Sequence, residues 1–321
     1  MLKQAEHCLY ACAAYSLHAN GCCLSEAQIY FRADGPLVEY ASDSGVLYPP
    51  ALDRMAASWR SRLPVSVHLQ PLTGEILKTV VARAESGAHT LLIVDSRSLS
   101  YKPFYIAGES RDHTVVLLGL DRSRGVARVA DLFLLEPTGA VCGYEGETDW
   151  GPLSEGVRHA LWFGDTETNV ILGEKDIRAE EDMTGGLRRF FESESTPGTG
   201  LSAYRQWLES LALRADSCAN DSDLPVLCQQ AHYRLRIGSI YHLLQYTKSS
   251  LGPRKLTRYE QPLLQIQLDW KRTGATIFKA GVKKDKKALR FAAETAVGRL
   301  EALRGLLVEI AEACTTSRGS S

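Results

Sequence analysis

The chain has 321 residues, 37 Lys+Arg against 38 Asp+Glu, a formal net charge of -1 and 45% hydrophobic residues. Such a chain builds a core without disulfide or metal staples, and at roughly 100–200 residues per domain it suits two domains. The balanced charge argues against a general nucleic-acid binder, which needs a net basic face, and no apolar run reaches the ~20 residues that span a bilayer.

At the N-terminus, Leu9-Tyr10-Ala11-Cys12 has the outline of a lipoprotein cleavage site, but the apolar segment before it is short and is interrupted by Glu6 and His7. No signal peptide is expected. A cytoplasmic protein is, and its eight cysteines are then free, catalytic or metal-bound rather than paired. Residues 7–19 read as a helix rich in Ala, Leu and Cys, ended by Gly21, and Ser25 caps a short second helix. Gly35, Pro36, Gly45, Pro49 and Pro50 mark 32–50 as loop, followed by a helix over 51–62. Val65 to Leu69 alternates like a strand, and Ile76, Leu77, Val80 and Val81 space a helix over 73–86. Leu91–Val94, Thr114–Leu118 and Val126–Ala130 read as strands, the last two joined by a hairpin turn at Gly125, and Leu161–Phe163 as a further strand.

After about residue 175 the strand signals stop. Gly185-Gly186 and Ser193 to Gly200 read as linkers, and Leu201–Ala215, Leu224–Tyr246, Tyr259–Phe278 and Lys284–Cys314 as helices. An α+β domain over 1–174 and a helical domain over 175–321 are expected. Charge divides similarly. From Asp131 to Asp182 there are 13 acids and 3 bases, and from Trp270 to Arg290 there are 8 bases and one acid, Asp285. Either run is also what a solvated face looks like.

Cys8 falls at the start of the first helix, where the dipole and free N–H groups favour a thiolate. His113 opens a strand 105 residues later, and Asp131 closes the next strand 18 residues beyond it. Adjacent antiparallel strands set His113 beside Asp131. A nucleophile, a base and an orienting acid in this arrangement suit acyl-enzyme chemistry. The plainer readings are a buried structural thiol for Cys8, as Cys12 should be, a satisfied core histidine for His113 and a turn cap for Asp131. His7, Cys8, Cys12, His18, Cys22 and Cys23 offer six potential zinc ligands in 17 residues. Several lie in one helix and two are adjacent, unlike the paired ligands of zinc sites, so no metal or other cofactor is expected.

The order Cys, His, Asp resembles the papain-like fold, including the bacteriocin-processing cysteine peptidases. A closer resemblance is to the butirosin-biosynthesis acyltransferase family, carried by His7-Cys8, Leu24-Ser25-Glu26, Asp34-Gly35-Pro36, Asp112-His113-Thr114-Val115-Val116, Gly119-Leu120-Asp121 and Val129-Ala130-Asp131. It implies a papain-like α+β domain with a helical C-terminal region. It also implies transfer of an acyl group from an acyl carrier protein's phosphopantetheine thioester, through a Cys8 thioester, to a small-molecule amine in antibiotic or other specialised metabolism. His113 would be the base and Asp131 its orienter, with Asp112 pointing to the other sheet face and Asp121 in the turn. Papain-like enzymes carry an oxyanion Gln several residues before the Cys. Gln4 is four residues upstream, and the Cys8 N–H is the alternative donor. A peptidase or amidase on the same fold, and an inactive binding scaffold, remain as alternatives. Two surfaces are expected to serve the transferase: Glu145, Glu147 and Asp149 beside Trp150 for a cationic amine acceptor, and the basic run from Lys271 to Arg290 for the acidic carrier protein.

Overall fold

The computed structural model describes residues 5–102, 110–135, 141–164, 179–218, 222–237 and 239–316. It is α+β, and its sheets are antiparallel. No helix among the described residues is long and apolar enough to cross a membrane.

The chain forms two compact units, and they do not part at 174/175. One holds Met1–Ile29 with Ala56–Ile177, the other Tyr30–Met55 with Arg178–Ser321. The expected division therefore misassigns residues 30–55.

The first unit is built on a six-stranded sheet in the order β3-β8-β4-β5-β6-β7. Its strands are β3 (Val67–Pro71), β4 (Thr90–Asp95), β5 (Asp112–Asp121), β6 (Val126–Leu135), β7 (Val141–Asp149) and β8 (Val157–Phe163). Gly125, at φ 65°, makes the β5–β6 turn, a backbone conformation open to glycine at little cost. Alternation sends Leu92, Val94, Val115, Leu117, Ala127 and Val129 into one apolar core, where they meet Val80 and Ala84 of helix α4 (Gly74–Glu85) and Leu153 of helix α5 (Trp150–Gly156). Strand β7 and helix α5 carry no sequence signal: Glu145, Glu147 and Asp149 alternate with Gly146 and Thr148, so that edge strand is polar.

Helix α1 (Cys8–Ala19) packs against β4, β5 and β6 and buries Leu9, Cys12, Ala13, Ser16 and Leu17. Helix α2 (Glu26–Arg32) opens on a reciprocal cap. The Gln28 N–H donates to Ser25 Oγ at 3.3 Å, and the Ser25 N–H to Gln28 Oε1 at 3.0 Å, a capping box with Gln in the third position. Helix α3 (Leu52–Arg62) supplies Trp59, fully buried, its indole N–H donating to the Ile29 carbonyl at 3.1 Å.

In the second unit the expected loop 32–50 contains a short hairpin, β1 (Glu39–Ala41) and β2 (Val46–Tyr48). Its companions are α6 (Ala179–Glu192), α7 (Gly200–Ser217), α8 (Asp223–Ile237), α9 (Ser239–Ser250), α10 (Pro253–Val282) and α11 (Lys286–Thr316). Arg189 on α6 donates to Asp34 at 2.5 Å and to the Phe31 carbonyl at 2.8 Å, Arg32 pairs with Asp182 at 2.8 Å, and the Gly200 N–H meets the Val38 carbonyl at 2.7 Å. These bonds tie residues 30–55 to the distant helices.

Gly185-Gly186 is not a linker. Both lie inside α6, and a Cβ on Gly186 would stand 2.5 Å from the Phe31 ring, so glycine there permits close packing. Helix α10 starts six residues before the expected Tyr259, with Pro253 in its first turn, where a missing N–H costs nothing.

Candidate active site

Cys8 is the first residue of α1, and His7 is its N-cap. The Leu9 N–H donates to His7 Nδ1 at 3.2 Å. The turn before the helix is held by Glu26, which accepts the backbone N–H groups of Glu6 at 3.1 Å and His7 at 2.7 Å. Burial, with Glu26 beside it, holds the Glu6 carboxyl above its usual range. The Leu-Ser-Glu element thus acts as the brace of the helix that carries Cys8.

On the sheet, His113 is the second residue of β5 and Asp131 lies on β6. The His113 Nε2 meets both carboxylate oxygens of Asp131 at 2.9 Å. Asp131 is fully buried, and its oxygens also accept the Tyr101 hydroxyl at 2.9 Å and the Phe133 N–H at 3.3 Å. A buried carboxylate needs such donors. The β6–β7 register shifts between Asp131 and Leu134, an irregularity of the kind that re-aims a side chain. The Tyr101 ring stacks on Tyr144, centroids 4.2 Å apart.

The Cys8 thiol lies near Thr114, because α1 packs on β5. Thr114 follows His113 on β5, so α1 delivers the sulfur next to the histidine in the chain. Side-chain alternation turns Thr114 and His113 to opposite faces of β5. Burial, reinforced by the Asp131 charge and only partly offset by the Thr114 and Leu9 hydrogen bonds, pushes the thiol up to about 11. This direction opposes the expected helix-start thiolate, at a residue that is half-buried. Cys12, one turn on, is buried, donates to the Thr114 carbonyl at 3.4 Å and is raised further by burial.

Asp112 is exposed and pairs with Arg158 at 2.5 Å. Asp121 accepts from the Ser123 hydroxyl at 2.7 Å in the turn. Gln4 lies outside the described residues. Among the described residues no group of three or more His, Cys, Asp or Glu is placed to hold a metal ion.

The acidic surface expected to hold an amine is largely neutralised. Glu145 pairs with Arg128 at 2.7 Å and Glu147 with Arg124 at 2.8 Å, and Trp150 packs partly on the sheet core. Arg128 and Glu147 face one another in the β6–β7 ladder, a cross-strand relation that counting charges along the chain does not show. In the basic run, Arg290 pairs with Asp216 at 2.5 Å, Arg272 with Asp269 at 3.4 Å, and Lys286 donates to the Cys218 carbonyl at 2.9 Å. Of the neighbours Glu26, Thr114 and Tyr101, the first two fall within Leu24-Ser25-Glu26 and Asp112-His113-Thr114-Val115-Val116, whereas Tyr101 sits between strands with no spacing to mark it.

No protein-family model matches the chain, and no curated protein does so either.

Proposed function

We propose that the first unit is a papain-like cysteine acyltransferase of the cytoplasm, with Cys8 as nucleophile, His113 as base and Asp131 as the group that orients His113. The observation that carries this reading is the buried His113–Asp131 pair at 2.9 Å, next in the chain to the residue that contacts the helix-start thiol. The Cys8 S–H proton passes to His113 Nδ1 as the sulfur attacks a thioester carbonyl. The donor thiol leaves with that proton, and an amine then attacks the Cys8 thioester, its proton passing through His113 to the departing Cys8 sulfur as the amide forms. The Leu9 N–H already donates to His7, so the Cys8 N–H at the helix start is the better oxyanion donor. The resemblance to the butirosin-biosynthesis acyltransferase family supports a carrier-protein thioester as donor and a small-molecule amine as acceptor, in antibiotic-type biosynthesis. Water in place of the amine would make the same site a hydrolase.

One observation favours a second reading, an inert binding scaffold: alternation along β5 turns His113 and Thr114, the residue beside the thiol, to opposite faces of the strand. Intact-protein mass spectrometry after incubation with acyl thioesters separates the two. The transferase requires an acyl adduct that Cys8→Ala abolishes. An unmodified wild-type chain across a panel of acyl thioesters removes the catalytic reading.

A further inference from the structure

Helix α10 has two apolar faces. One is buried and carries Tyr259, Leu263, Trp270, Ile277 and Ala280. The other carries Leu264, Leu268, Lys271, Ala275, Phe278 and Val282, spaced alternately four and three residues apart. That spacing keeps them on one stripe, the a/d seam of a coiled coil, and it runs for about 27 Å at 1.5 Å per residue. Four of them are large apolar side chains with more than a third of their surface in solvent, Leu264 37%, Leu268 38%, Phe278 43% and Val282 68% exposed, the Phe278 ring also lying 5.3 Å from that of His232. Single exposed apolar residues are ordinary, but an aligned series on a long helix marks an interaction surface.

Charge along the seam is uneven. Its first half is flanked by Gln261, Gln265, Gln267 and Asp269, the last paired with Arg272 at 3.4 Å, and its second half by Lys279 and Lys283, with Lys271 in the stripe itself. Two copies of this helix, run in either direction, bring Lys271 within a turn of its own copy, and like charges so placed repel. An acidic partner is complementary instead.

We infer that the exposed seam of α10 docks an amphipathic helix of another protein, one with apolar residues at matching three-four spacing and carboxylates flanking them opposite Lys271, Lys279 and Lys283. The seam does not depend on the chemistry assigned to Cys8, and it would stand if that assignment fell.

The probe is a fluorescein-labelled four-heptad peptide with Leu at every a and d position and Glu at every e and g position, titrated with the full chain and followed by anisotropy. A peptide with Lys in place of Glu is the control. The acidic peptide should bind at least about tenfold more tightly than the basic one. Leu268→Glu with Phe278→Glu should cost at least another tenfold, and Lys279→Glu with Lys283→Glu should invert the preference. Leu213→Glu on α7 should change nothing, and circular dichroism should show every variant folded. No binding of the acidic peptide, or equal binding of both, overturns the inference. So does a wild-type dimer in sedimentation that the Leu268→Glu, Phe278→Glu variant dissociates, because the occupant is then a second copy. Binding to phosphatidylserine vesicles through the same residues without peptide binding overturns it in favour of a membrane.

Discussion

The Cys8 thiol and the His113–Asp131 pair divide the chemical work, and each makes a separate prediction. Cys8→Ala should remove the acyl adduct altogether. His113→Ala should slow acylation by about 10²–10⁴, the usual contribution of a positioned acid–base group, and Asp131→Asn by less, because its donors Tyr101 and the Phe133 N–H remain. Single-turnover acylation measures all three. The raised thiol fixes the sign of a pH effect. With its folded value near 11 above an unfolded value of about 8.5, the neutral thiol stabilises the fold below pH ~8.5, and that contribution disappears as pH rises through the folded value. The alkylation rate of Cys8 by iodoacetamide should accordingly climb through pH 9 and level only near 11. A plateau near neutrality would mean a thiolate–imidazolium pair and would contradict the general-base mechanism.

At the scale of elements, the brace and the close-packed glycine invite substitution. Glu26→Ala leaves the Glu6 and His7 N–H groups without their acceptor and should cost roughly 1–3 kcal/mol, the usual penalty for stranding part-buried donors. It should also loosen the helix start and so reduce acylation more than it reduces the melting temperature. Gly186→Ala forces a methyl against Phe31 and should cost about 1–3 kcal/mol by overpacking, read as a lower urea midpoint with acylation unchanged. The same elements show how far the sequence could be read. α1, α3, α4, β4 and the β5–β6 hairpin follow from apolar periodicity and the turn at Gly125, because in each one face meets a core. That hairpin is also why His113 and Asp131 were placed together from spacing alone. β7 escaped because an edge strand with charged outward residues has no apolar alternation. α6 was cut at Gly185-Gly186 because glycine reads as flexibility until its neighbour Phe31 is known. The position of the thiol within the fold, and therefore its ionisation, depends on burial that no local pattern encodes.

For the whole molecule, the decisive fact is that residues 30–55 belong with 178–321. A fragment beginning at residue 175 lacks the partners of Arg189 and Asp182 and the Phe31 ring that fills the space over Gly186. It should melt less cooperatively and at lower temperature than the second unit within the full chain. Co-expressing it with a peptide spanning 26–55 should restore part of the loss, measured by calorimetry or circular dichroism.

The same interleaving sets a timetable for synthesis. Residues 30–55 leave the ribosome about 120 residues before Arg178, the start of the sequence they pack with. At ≈5–20 residues per second that is a delay of roughly 6–25 s. Throughout it Tyr30, Phe31, Leu37 and Val38, all buried in the finished fold, have no helices to cover them, while the sheet of the first unit is being made after them. The nascent chain therefore presents a short sticky segment while more than a third of its residues are translated. Its yield should respond to chaperones that hold early apolar segments, and to codon choice between residues 56 and 178, more strongly than its folded stability would suggest.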